Sequence, residues 1–95
     1  MAEIKTQPVK GHLVQDIDAD DVQPGDFQFS DPVTGMWYIC PCGCGTQGYL
    51  RIRPSEPAHP SWGWDGNREE PTLTPSVHHV GHWHGFLNKG VWTSV

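Results

Sequence analysis

Three thiols sit within one short turn, Cys40-Pro41-Cys42-Gly43-Cys44, and the 95-residue chain has no other cysteine. An odd number of such close neighbours cannot build a disulfide framework. In a reducing compartment the same cluster suits a soft divalent ion, and zinc prefers thiolate and imidazole ligands in a tetrahedron. Gly43 and Gly45 allow backbone amides to curl toward the sulfurs and stabilise their charge. The spacing departs from the common C-x-x-C form, so Cys40 and Cys44 become the shoulders of the turn, and Cys42 at its apex can join them or point away.

A second donor set is His82-Trp83-His84. On an extended strand two residues apart share a face, so both imidazoles would leave one side while Trp83 points to the other. Cys40, Cys42, Cys44, His82 and His84 then compete for four positions on one zinc. His78 has the parity of the pair and His79 adjoins it; both read as supporting or surface residues, as do His12 and His59. Catalysis would need an open metal position and a general base, for which Asp65, Glu69 and Glu70 are the candidates. Asp65-Gly66 has the composition of a tight turn, however, and Arg68-Glu69-Glu70 before Pro71 that of a solvated connection. Thiolate-rich zinc also acidifies water less well than zinc held by histidine and carboxylate. The sequence therefore favours a structural ion in a non-enzymatic domain, with a zinc-dependent hydrolase as the alternative.

Strands must position these donors. Phe27 and Phe29 alternate with polar residues, Asp31-Pro-Val-Thr-Gly35 supplies a turn, and Met36-Trp-Tyr-Ile-Cys40 is an aromatic and β-branched run leading into the cysteines. Tyr49 to Arg53 alternates Leu50 and Ile52 with Arg51 and Arg53, which makes the cysteine turn the tip of a hairpin. A proline-rich surface loop is expected from Ser55 to Pro60. Thr72 to Val77 reads as one edge strand containing Pro75, and Trp83 to Trp92 as a second hairpin around Asn88-Lys-Gly90. Trp62 and Trp64 share a strand face and read as core residues before they read as a stacking platform. Residues 1–25 form an irregular arm with a short strand, and residues 26–95 a mainly β domain: one zinc-stabilised sheet or small sandwich built from hairpins.

Composition agrees, since 11 Gly and 9 Pro leave little room for long helices and five Trp supply much of the core. A formal charge of −5 argues against a phosphate-tracking surface, so nucleic acid is not an expected partner. No apolar run reaches the length of a membrane span, and the amino terminus lacks the apolar core of a signal peptide. A cytoplasmic protein with a protein partner is the expectation.

The segments Cys40-Pro-Cys-Gly-Cys-Gly45, Ser61-Trp-Gly-Trp-Asp-Gly-Asn67, Pro71-Thr-Leu-Thr-Pro-Ser-Val77 and His82-Trp-His-Gly-Phe-Leu-Asn-Lys-Gly-Val-Trp92 together resemble a family of small uncharacterised phage and prophage proteins, sometimes labelled ammonia monooxygenase. The resemblance implies zinc held by Cys40, Cys44 and His84. Gly81 stands where those relatives carry a further cysteine, and His82 is the substitute. It also implies an accessory protein in a phage or mobile-element setting, acting as a protein-interaction module, and supplies no reaction.

Overall fold

The computed structural model describes residues 4–53 and 60–95. Among them every regular element is a strand: β1 (Val9–Lys10), β2 (Phe27–Phe29), β3 (Gly35–Ile39), β4 (Gln47–Arg51), β5 (Gly63–Trp64), β6 (Leu73–Thr74), β7 (Val77–His79), β8 (Trp83–Asn88) and β9 (Val91–Ser94). They form three antiparallel sheets, ordered β1-β9-β8-β7, β2-β3-β4 and β5-β6. No helix among the described residues is long and apolar enough to cross a membrane. His59 and the expected proline loop, apart from Pro60, lie outside the described residues.

Alternation explains the three-stranded sheet. Phe27 and Phe29 face the core opposite Tyr38 and Met36, and Leu50 and Ile52 are buried between exposed Arg51 and Arg53. The pairing Ile39↔Gln47 closes the β3–β4 hairpin directly behind the cysteine turn, so β4 begins two residues before Tyr49, where the strand was expected. Ile52 continues past it into a bridge with Trp62.

The single strand expected over Thr72 to Val77 is divided at Pro75. Leu73–Thr74 pairs with β5 and Val77–His79 pairs with β8. Proline offers no N–H to a ladder, so the chain leaves one sheet there and joins another. The mainly β single domain expected from the sequence is found, its strands divided among three small antiparallel sheets around one core.

The β8–β9 hairpin turns through Lys89 and Gly90, both at positive φ (50° and 79°), the backbone that matches the twist of two strands joined by two residues. Trp83 and Trp92, both fully buried, meet edge to face at 5.7 Å, and Trp92 also touches Tyr38 of the other sheet at 5.2 Å. Each buried indole is satisfied: Trp92 donates to the Gly25 carbonyl at 2.8 Å and Trp83 to Thr6 Oγ1 at 3.1 Å. The amino-terminal arm is thereby tied to the core, and its β1 adds to β9. A Cβ at Gly11 would stand 2.4 Å from the Gly25 carbonyl oxygen, so the crossing of the arm requires glycine.

Candidate functional site

The turn between β3 and β4 brings Sγ of Cys40, Cys42 and Cys44 within 4.8 Å of one another. The Cys40 amide donates to the Thr46 carbonyl at 2.9 Å and that of Gly43 to the Cys40 carbonyl at 3.2 Å, which folds the turn back on itself. Gly43 and Gly45 have φ of 91° and 81°; a Cβ at either would meet nothing within 4 Å, so backbone conformation and not space calls for glycine.

Burial grades along the turn from Cys40, fully buried, to Cys44, exposed. Burial pushes the Cys40 thiol up to about 12, because a thiolate there would lose its hydration. Burial also acts to raise Cys44, but hydrogen bonds from Thr46 and from the Cys42 and Cys40 thiols outweigh it and bring Cys44 down to about 6. One sulfur is thus ready to coordinate, and the buried one needs a cation beside it to ionise.

The histidines do not behave as one pair. In the β7–β8 register His78 faces His84 and His79 faces Trp83. Neighbouring residues of a strand point to opposite faces, so His79 lies on the core side with Trp83 while His78 and His84 lie on the outer side. The ring centroids of His78 and His84 are 4.6 Å apart. His82 precedes β8, in a turn closed by its own amide on the His79 carbonyl at 2.9 Å, and its ring stacks on His79 at 4.7 Å. The strand alternation expected for His82 and His84 therefore fails, because only His84 is on the strand.

His82 and His84 end on opposite sides of the hairpin, and neither falls within the cysteine group. A chain of contacts leads from His82 toward β3: its stacking partner His79 meets the Tyr38 ring at 6.1 Å, and β3 continues from Tyr38 through Ile39 to Cys40. Burial first, then the proximity of Cys40 and Cys44, raises the Tyr38 phenol to about 12. Nδ1 of His79 is buried without a hydrogen-bond partner, and burial, followed by the neighbouring His82, holds this histidine below its ordinary pKa.

On the outer side, Ser76 Oγ lies 3.0 Å from Nε2 of His84. A hydroxyl hydrogen-bonded to an imidazole on a half-open face is the minimal apparatus for acyl transfer, the imidazole taking the proton as the oxygen attacks. Sequence reasoning missed Ser76. Eight positions separate it from His84, Pro75 precedes it, and only the pairing of β7 with β8 brings the two together. Of the three candidate bases, Asp65 Oδ1 accepts the amides of Asn67 and Thr72 at 3.0 and 3.3 Å, Glu70 pairs with Lys10 at 3.1 Å, and Glu69 gives its backbone amide to Asn67 Oδ1 at 3.1 Å.

No curated protein and no solved structure matches the sequence significantly. One family profile does, over residues 13–95, and its description is a bacterial ubiquitination-like system serine protease, BubE. That match spans both the cysteine turn and the serine–histidine pair, and it covers nearly the whole chain: the protein belongs to the BubE family.

Proposed function

We propose that this chain is a serine protease acting on a protein component of a bacterial ubiquitination-like system, with Ser76 as nucleophile and His84 as its base, and with a structural zinc on the cysteine turn. The observation that carries the proposal is the 3.0 Å contact between Ser76 Oγ and His84 Nε2 on the outer face of β7–β8. The family description supplies the reaction class and the setting. The protein partner anticipated from the sequence becomes the substrate, and free thiols fit a cytoplasmic enzyme.

In the productive tautomer His84 carries its proton on Nδ1 and accepts with Nε2. As Ser76 Oγ bonds to the carbonyl carbon of the scissile amide, its proton passes to Nε2. The imidazolium then gives that proton to the departing amine as the C–N bond breaks. Water attacks the resulting ester with His84 again as base, releasing the carboxylic acid and restoring the hydroxyl.

The three sulfurs fit zinc by type, proximity and the ease with which Cys44 ionises. His82, joined to β3 through the contacts of His79 and Tyr38, is the nitrogen donor we assign to the fourth position. An ion held by these residues would cross-link the β3–β4 hairpin to the turn before β8. The alternative of a zinc-dependent hydrolase is disfavoured because the reactive pair lies on the opposite side of the hairpin from His82.

A fluorophosphonate probe tests the nucleophile. The expected result is one adduct per chain, on the peptide containing Ser76, and none in Ser76→Ala. Absence of labelling, or an adduct on another serine, refutes the assignment.

A further inference from the structure

Ser76 stands where the chain passes from one sheet to another. Thr74 belongs to β6, Pro75 to neither sheet, and β7 starts at Val77. The backbone of β8 alternates in direction: the His84 carbonyl accepts the Val95 amide at 3.0 Å, toward β9, so Gly85 and Trp83 bond toward β7. Val77, opposite Gly85, accordingly turns its backbone groups to β8, and those of Ser76 point away from the sheet. The ladder therefore leaves the peptide of the nucleophile unheld. The indole N–H of Trp62 reaches that peptide, donating to the Ser76 carbonyl at 3.0 Å.

Trp62 is itself fixed. Its amide donates to the Arg51 carbonyl at 2.8 Å and its carbonyl accepts the Arg53 amide at 2.9 Å, a bridge that extends the three-stranded sheet at Ile52. Its ring is half-buried against the core. One hydrogen bond thus connects the β2-β3-β4 sheet to the residue whose hydroxyl must meet His84, a member of the other sheet.

We infer that Trp62 is a positioning residue for the Ser76 nucleophile, holding its carbonyl so that Oγ stays within reach of His84. This inference rests on the proposed serine protease reading. Without the indole donor, the Ser76 peptide is free to rotate between Pro75 and the first ladder bond at Val77, and the hydroxyl leaves the imidazole for part of the time. Displacements of about an ångström at reacting groups cost on the order of a hundredfold in rate.

The molecule contains its own control. Trp64, two residues on, also gives its indole N–H to a backbone carbonyl, that of Asn67 at 2.9 Å, and packs on Phe29 at 4.8 Å, away from the nucleophile. Trp62→Phe and Trp64→Phe each remove one such donor and a similar ring area. A third protein replaces Trp62 by benzothienylalanine, which keeps the bicyclic shape and substitutes sulfur for N–H. Fluorophosphonate labelling of Ser76 would be followed over a range of probe concentrations, separating the limiting rate from the half-saturating concentration, with a thermal melt of each protein.

The expected result is a limiting rate roughly ten- to a hundredfold lower in both Trp62 proteins, a half-saturating concentration within about twofold of the parent, and Trp64→Phe labelled like the parent. Should Trp62→Phe fail to fold, the benzothienyl protein gives the answer. Parental labelling of the Trp62 proteins overturns the inference while leaving the protease reading intact. So does a slowing shared by Trp64→Phe in proportion to lost stability, which marks a packing role. If the parent itself is not labelled at Ser76, the protease reading falls and this inference with it.

Discussion

The cysteine turn and the serine–histidine face lie on one small domain and are held by different kinds of constraint. The three sulfurs come from alternate positions of a single turn, so the hydrogen bonds and glycine conformations of that one turn keep them within 4.8 Å. Ser76, just ahead of β7, and His84, on β8, come from segments that only sheet pairing brings together, and their 3.0 Å contact depends on β7 and β8 keeping register. The first arrangement survives local distortion, but its buried thiol must lose a proton before all three sulfurs can coordinate. The second is already in contact and sensitive to any shift of one strand against another. The former suits a cross-linking ion, and the latter suits a reaction that depends on orientation.

If that division of labour holds, substitutions on the two sides have separable consequences. The largest effect is expected from Ser76→Ala and His84→Ala: proteolysis and probe labelling fall by about a thousandfold or more, while the melting temperature stays within a few degrees of the parent. A collapse of stability in Ser76→Ala would mean that the outer face is structural after all. Next comes stripping the ion with a strong chelator, or Cys44→Ser, which should lower the melting temperature by about 10 °C or more, since structural zinc sites contribute directly to folding. An unchanged melt with lost activity would instead move the ion into the catalytic apparatus.

Metal content divides the two histidines most directly. His84→Ala should retain one zinc per chain by elemental analysis, and His82→Ala should lose most of it under dialysis against a weak competitor. The reverse result would unite the two sides into a single metal centre. The smallest effect is expected at the rim: Lys10→Ala removes an ion pair to Glu70 whose side chains are 44% and 60% exposed, and should cost less than about 1 kcal/mol in a denaturant titration and nothing in activity.

Much of this architecture could be read from local pattern. The alternation of Leu50 and Ile52 with two arginines, the Asn88-Lys-Gly90 turn and the crowded cysteines all depend on residues within a few positions of each other, and each is found where expected. Three features depend on partners that local pattern does not specify. Pro75 divides a strand because two different neighbours are available on its two sides. His82 leaves the alternation because β8 begins one residue later, and Ser76 acquires meaning only from the strand opposite. The segments that carry the resemblance include both Ser76 and His84, but nothing in their linear spacing pairs this serine with this histidine.

The adjacency of His78 and His79 sets a rule for how this hairpin can change over generations. Because one histidine looks outward to His84 and the next inward to His82, a single residue gained or lost within β7 would exchange their surroundings and turn Ser76 from its imidazole. A change of two residues in β7 would preserve both pairings, whereas the turn from Val80 to His82 could absorb an odd change and disturb only the surroundings of His82. Insertions of one, two and three residues placed within β7 should therefore give inactive, active and inactive proteins in turn.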